Sequence, residues 1–148
     1  MILTAHLLAG AAVATVIKNP FLGLSLAFLS HYLLDTIFHR EYNIENILEK
    51  RWEKSRTEFL SIFLDFFTGI SLVLLLSKNL SLALPGAFMA SLPDGFALLY
   101  FLLFPNISFI KIHNKLHQKI HFLKNKKIRL FWRISSQILV ISFSIYLL

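Results

Sequence analysis

Long apolar stretches alternate along the chain with two shorter stretches that carry most of the charges. An α-helix needs about 20 mostly apolar residues to cross roughly 30 Å of hydrocarbon. Five segments approach this length, and we predict that each is a membrane-spanning helix. They cover residues 2–17, 21–38, 59–77, 82–104 and about 130–148.

The two charged connections also have a helical pattern. In the first, apolar residues recur at three-, four- and seven-residue spacing: Ile44, Ile47, Leu48, Trp52 and Phe59. In the second, an apolar stripe runs opposite Lys111, Lys115 and Lys119: Phe109, Ile112, Leu116, Ile120 and Leu123. Such stripes predict amphipathic helices lying on a membrane surface. The predicted fold is therefore all-α: a polytopic membrane protein with about five transmembrane helices and two interfacial helices, forming a single domain over residues 1–148.

Composition supports this class. The 148 residues are 56% hydrophobic, include 15 Phe and have a mean hydropathy of +0.66, which is too apolar for an ordinary soluble domain. The absence of cysteine excludes disulfides, thiolate metal sites and cysteine nucleophiles. Any metal ion would need histidine and carboxylate ligands, which suit zinc, manganese or iron.

The placement of basic residues predicts the topology. Lys18 and Lys78 lie in two tight turns, and every other Lys and Arg lies in or beside the two charged connections. The positive-inside rule then places both connections in the cytoplasm, with the N-terminus inside and the C-terminus outside an inner membrane. Basic residues beside a membrane also attract anionic headgroups, so the net charge of +7 does not require nucleic acid as a partner.

All three aspartates lie inside apolar segments: Asp35, Asp65 and Asp94. An Asp at the centre of a membrane helix costs on the order of 3 kcal/mol and needs a partner. Helix-rise arithmetic places Asp35 and Asp65 within about 10 Å of the cytoplasmic boundary and Asp94 about 15 Å deep. His6 and His31 come out at a similar depth, and a ladder of histidines at intervals of four edges the second interfacial helix: His113, His117 and His121.

This layer of buried acids and histidines predicts a metal site. Residues four apart share a helix face, so His31 and Asp35 can hold one ion, with His39 at its mouth. A divalent cation turns buried carboxylates into ligands, and neutral imidazole is their usual companion. These ligand types leave zinc, manganese and iron open.

Four stretches of the chain resemble bacterial membrane-bound metal-dependent hydrolases, including the type described as LexA-binding inner-membrane hydrolases. They are "LTAHLLAGAA" (3–12), "SHYLLDTIFH" (30–39), "LPDG" (92–95) and the late histidine cluster. More remotely, the pattern is similar to zinc-dependent phospholipase C, a helical bundle whose zinc ions hydrolyse phosphate esters. This resemblance implies zinc as the expected ion, at one to three equivalents. The chain departs from the family at Gly95-Phe96, where members often carry a further Asp, and after His39.

The resemblance implies that His6, His31, Asp35 and Asp94 are ligands, and less directly Asp65, His113 and His117. We expect His39 and His121 beside the ligands. The expected activity is hydrolysis of a phosphate ester or diphosphate of a lipid, with Asp35 or Asp94 as the base. Three cations are expected to attract the anionic headgroup: Arg40, Lys111 and Lys115.

Other interpretations stay open. The buried groups can form a hydrogen-bond network, in which Asp65 bonds to Thr68 or Ser61 on its own helix. The chain can be a metal-ion or proton transporter, or an adaptor that binds a partner through its interfacial helices. A di-iron lipid hydroxylase fits less well, because those enzymes usually carry about eight histidines with adjacent pairs, whereas this chain has six and no His-His pair.

Overall fold

The fold is built from helices, as predicted. The computed structural model describes residues 1–39, 42–104, 106–120 and 128–148, and this part of the chain contains helices and no strand. Its seven α-helices are α1 (Leu3–Val16), α2 (Pro20–Asp35), α3 (Glu45–Leu48), α4 (Arg56–Leu76), α5 (Leu80–Leu102), α6 (Ser108–Ile120) and α7 (Leu130–Leu147).

Helix α1 lies at the centre of the bundle, in contact with α2, α4, α5 and α7. It is apolar on all sides, and a helix of that kind is normally buried on all sides. Its small residues let α5 approach closely: a Cβ at Gly10 would overlap the Cβ of Ala90 and the carbonyl oxygen of Gly86. These contacts pack α1 tightly against α5, and they fix His6 of α1 beside α5.

The number of long apolar helices differs from the prediction. Within the described ranges, α4, α5 and α7 are long and apolar enough to cross a membrane, whereas five such helices were expected. Helix α1 has 14 residues and α2 has 16. At 1.5 Å per residue these helices are about 21 and 24 Å long, short of the roughly 30 Å of a hydrocarbon core. They are shorter because Ile17 is already extended and the helical path of α2 ends at Asp35.

The first connection does not form one amphipathic helix. It contains the single turn of α3 and a 3-10 turn at Trp52–Lys54, and Phe59 belongs to α4. Lys50 adopts a positive φ of 56°, which interrupts the helical path between these turns. Both carboxylate oxygens of Glu58 accept hydrogen bonds here, from the backbone amides of Asn46 and Ile47. The turns are therefore held against α4.

The second connection contains α6, an amphipathic helix as predicted, and its histidine edge faces the bundle. Phe109, Ile112 and Leu116 are exposed, whereas His113 and His117 are buried against the bundle. The histidine edge therefore packs inward, and the apolar stripe lies on the outer surface.

Helix α5 runs without interruption through Pro85 and Pro93. The sequence Pro93-Asp94-Gly95 would instead suggest a break in the helix at this point. A proline removes one helical hydrogen bond, and a helix tolerates this loss when its neighbours hold it in place. Pro93 is fully buried. Asp94 therefore projects from a continuous helix rather than from a loop.

Candidate metal centre

Four helices bring their buried polar side chains to one place. His6 comes from α1, His31 and Asp35 from α2, Asp94 from α5, and His117 from α6. His6, His31 and Asp35 are essentially inaccessible, and about a third of the Asp94 side chain is exposed. Among the described residues, two groups could hold a metal ion: His31, Asp35 and His117, and His6, His31 and Asp94.

The ligand atoms of the first group lie close enough together to share one metal ion. Nε2 of His31 lies 3.0 Å from Nε2 of His117 and 3.0 Å from Oδ2 of Asp35. The third side of this triangle, from His117 to Asp35, is 3.2 Å. Zinc bonds of about 2.0–2.1 Å in a tetrahedron place neighbouring ligand atoms about 3.3 Å apart. Three protein ligands with a fourth position open are the usual arrangement of a catalytic zinc.

The ring of His31 is oriented by the backbone of α5. Its Nδ1 lies 2.8 Å from the carbonyl oxygen of Ala90. Because a carbonyl oxygen can only accept, Nδ1 carries the proton and, in neutral imidazole, Nε2 presents a lone pair. That lone pair faces a carboxylate oxygen of Asp35 and Nε2 of His117, so it can accept a hydrogen bond from a protonated His117 or bind a cation shared with these two groups. A hydrogen bond like that of Nδ1, behind a ligating histidine, is typical of metal sites.

The second group shares His31 with the first. His6 stacks on His31 with ring centroids 4.1 Å apart. Within the described part of the chain, neither ring nitrogen of buried His6 makes a hydrogen bond, although its Nε2 lies 3.2 Å from Oδ1 of Asp35. Oδ1 of Asp94 lies 3.7 Å from Nε2 of His31 and 3.6 Å from that of His117. A buried ring nitrogen without a protein partner is normally satisfied by a water molecule or an ion.

Asp35 is the residue around which the cluster is arranged. Its Oδ2 faces His31 and His117. Its Oδ1 faces His6, the amino group of Met1 at 2.9 Å, and Nε2 of His39 at 4.0 Å. His39 thus lies at the edge of the cluster, and Arg133 holds its backbone by donating to the His39 carbonyl oxygen.

His113 lies one helical turn from His117 but outside both groups. Its ring stacks on that of His117 at 5.9 Å, and its Nε2 forms a hydrogen bond with the hydroxyl of Tyr32 at 2.8 Å. Burial and the neighbouring His117 lower the pKa of His113, so its ring is neutral at pH 7. In this structure His113 supports the wall of the cluster.

Asp65 of α4 lies apart from the candidate metal groups and contacts the first turn of α1. Its carboxylate accepts hydrogen bonds from the hydroxyl of Thr4 at 2.6 Å, from the Thr4 amide and from the hydroxyl of Tyr42. Burial and the bond to Asp65 raise the pKa of Tyr42. Thr68 and Ser61, the partners considered from the sequence, bond instead to carbonyls of their own helix. Asp65 satisfies amide and hydroxyl donors that would otherwise be buried without partners.

The remaining predicted residues lie at or beyond the rim. Lys111 and Lys115 are exposed on α6. Arg40 and His121 lie outside the described residues, so their predicted roles in headgroup binding and beside the ligands stay predictions.

Two features of the centre were missed from the sequence. One is the hydroxyl of Tyr32, for which a phenol in the middle of an apolar segment was an available signal. The other is the Ala90 carbonyl, which no side-chain pattern could indicate.

No match was found when the chain was compared with models of known protein families, with curated proteins and with solved structures. The resemblance to membrane-bound hydrolases therefore stays a prediction that rests on short motifs.

Proposed function

We propose that the protein is a membrane-embedded, metal-dependent hydrolase that acts on a phosphate ester or diphosphate of a lipid at the cytoplasmic face. The observation that carries this proposal is the buried triangle of His31, Asp35 and His117, with sides of 3.0–3.2 Å. The three ligand atoms converge on one point, where a single ion could bind all of them.

The exposed surface supports the membrane location. Large apolar side chains cover the outer faces of the three long helices, including Leu75 on α4, Phe88 on α5 and Leu139 on α7, which are 80%, 50% and 69% exposed. Apolar surface on this scale is unfavourable in water and suits a hydrocarbon environment. The exposed stripe of α6, flanked by Lys111 and Lys115, suits the boundary between hydrocarbon and anionic headgroups.

The residues divide into ligands and a candidate base. His31, Asp35 and His117 would hold the ion. When bound, a divalent cation lowers the pKa of a water molecule toward 7 and polarises a phosphoryl oxygen. Asp94 is more accessible than Asp35, and its carboxylate faces the same two imidazoles, so it is the better placed of the two predicted bases to take a proton. His31 keeps its orientation through the Ala90 carbonyl.

Since His31 has only Nε2 available, a single ion bound through it occupies one of the two groups at a time. We favour the triangle, because its donors include Asp35, the more buried carboxylate. His6 and Asp94 then remain beside the ion.

The test uses two buried aspartates that differ in their surroundings. Asp35→Asn removes a charge from the triangle, whereas Asp65→Asn changes a carboxylate that lies on Thr4 and Tyr42. Purified protein would be analysed for bound zinc, manganese and iron by mass spectrometry, and for hydrolysis of p-nitrophenyl phosphate and of phosphatidic acid in vesicles. We expect about one equivalent of metal and measurable hydrolysis in wild type and in Asp65→Asn, and loss of both in Asp35→Asn.

Metal that is retained in Asp35→Asn would refute the ligand assignment. A bound metal without hydrolysis of either ester would refute the enzyme and favour a transporter, which metal flux into proteoliposomes would then measure.

A further inference from the structure

A large cavity of about 1150 Å³ adjoins the candidate metal centre, because Asp94 and His117 are part of its wall. Ligand pockets for small organic molecules typically enclose about 300–1,000 Å³. Aromatic and aliphatic side chains of α4 and α5 line much of the remaining wall: Phe59, Phe63, Phe66, Leu98 and Phe101. The cavity is thus both larger and more apolar than a free phosphate or a small water-soluble ester needs.

The polar part of the wall suits an anionic group. Among the Lys and Arg residues that the structure describes, Arg56 at the start of α4 is the one that lines this cavity. It makes no ion pair with any described residue. A guanidinium group binds phosphate oxygens through two parallel hydrogen bonds. Asn114 and Gln118 of α6 add amide groups to the same wall.

Gly95 provides open space beside Asp94. It lines the cavity, and a Cβ built on it meets nothing within 4 Å. The other glycines of α1, α4 and α5 lie in close contacts, so a side chain at those positions would collide with a neighbour. A larger side chain at position 95 would therefore occupy the cavity without displacing a helix.

We infer that this cavity binds the hydrocarbon chain of a long-chain phosphate ester or diphosphate, with Arg56 binding the anionic group beside the candidate metal centre. This inference rests on the proposed function, since it names the part of the molecule that would hold the substrate's tail. The apolar wall excludes water from the bound hydrocarbon chain. The phosphorus atom of the bound ester lies at the boundary between this wall and the His/Asp cluster.

The test measures binding rather than turnover. A hexadecyl phosphonate that carries a photoreactive diazirine near the end of its chain cannot be hydrolysed by cleavage of an ester bond. It would be crosslinked to the protein in lipid nanodiscs, and the labelled peptides would be identified by mass spectrometry. We expect labelling to be concentrated in residues 59–66 and 97–101 and to be at least about tenfold lower on α7. Burial of the probe's hydrocarbon chain in the cavity contributes strongly to binding, so the probe occupies the cavity in preference to the surface of α7. Equal labelling of α7 would overturn the inference, because it would reflect passive contact with bilayer lipid.

Three comparisons define the site. Gly95→Leu places a branched side chain in the cavity beside Asp94, and Gly95→Ala is its matched control with a single methyl group. We expect labelling at 59–66 and 97–101 to fall about tenfold in Gly95→Leu and to persist in Gly95→Ala.

A probe with the same chain and a trimethylammonium head is expected to label these residues several-fold less than the phosphonate, and Arg56→Gln is expected to remove that preference. Partitioning into the bilayer is the same for all variants, so unchanged labelling in Gly95→Leu would overturn the inference.

The outcome is separable from that of the proposed function. Metal content and hydrolysis of p-nitrophenyl phosphate are measured on the same preparations. Specific labelling in a protein without metal or hydrolysis would establish the lipid cavity and refute the enzyme. Hydrolysis of the soluble ester without specific labelling would establish the enzyme and refute the cavity as its lipid-binding site.

Discussion

Asp35 and Asp65 show how the same residue type acquires different roles from its neighbours. Both are aspartates within apolar helices, at similar expected depth. Asp35 faces ring nitrogens from three helices, whereas Asp65 faces the amide and hydroxyl of Thr4 and the hydroxyl of Tyr42. The donors on Asp65 carry fixed protons, whereas Asp35 meets the Met1 amino group and imidazole nitrogens, which can either donate a proton or bind a cation. The two sites therefore differ in what they can bind.

Replacing Asp65 with Asn should weaken the fold and spare the metal. Asparagine keeps one carbonyl oxygen and loses the charge, so the bonds from Thr4 and Tyr42 cannot all be kept. We expect the free energy of unfolding to fall by about 1–3 kcal/mol, the usual effect of removing a partner from buried donors. Denaturant unfolding in detergent, followed by circular dichroism, measures the change. A loss of bound metal at unchanged stability would instead support the ligand role expected from the sequence.

At the scale of elements, the approach of α1 to α5 positions the centre, because His6 lies on α1 and the Ala90 carbonyl on α5. Gly86 and Gly95 in α5 provide a matched pair. A Cβ at Gly86 would overlap Ala14, whereas a Cβ at Gly95 meets open space. We expect Gly86→Ala to lower the stability by about 1–3 kcal/mol through overpacking, and Gly95→Ala to raise it by about 0.5–1 kcal/mol through helix propensity. Thermal unfolding of both variants checks this, and equal effects would contradict the close contact between α1 and α5.

The orientation of α6 gives a second prediction at this scale. Ile112 and Lys115 are both exposed, but they belong to the apolar and basic stripes of the helix. Since the chain has no cysteine, a spin label can be attached at a single introduced one. In bilayers we expect a label at Ile112→Cys to be more accessible to oxygen than to a water-soluble nickel complex, and a label at Lys115→Cys to show the opposite preference. Equal accessibility to the nickel complex would place the apolar stripe in water.

For the whole molecule, metal binding should stabilise the bundle, because the ligands come from α2 and α6 and do not meet in the unfolded chain. A ligand present at 100 times its dissociation constant adds about 2.7 kcal/mol to the free energy of unfolding. We expect a chelator to lower the melting temperature of wild type, zinc to restore it, and the melting temperature of Asp35→Asn to respond to neither. A wild-type melting temperature that a chelator leaves unchanged would indicate a bundle that binds no ion, held by hydrogen bonds alone.

The helical class and several site residues could be predicted from the chain alone. Apolar runs predict helices, and the spacing of His31 and Asp35 places them on one face. The bounds of α4, α5 and α7 lie close to those predicted. The single helix expected in the first connection was wrong, since the positive φ at Lys50 depends on local backbone contacts that periodicity does not record.

The residue pattern by itself determined that the chain is helical and that its histidines and aspartates are placed at helical spacing. Tertiary structure alone decided which of them meet. Spacing within one helix fixes a face, but the partner of that face depends on how helices pack, here through the small residues of α1 and α5. That packing separates Asp65 from Asp35, brings His117 within 3.2 Å of Asp35, and turns the histidine edge of α6 inward. Distances between residues 82 positions apart arise from packing, because no local rule connects them.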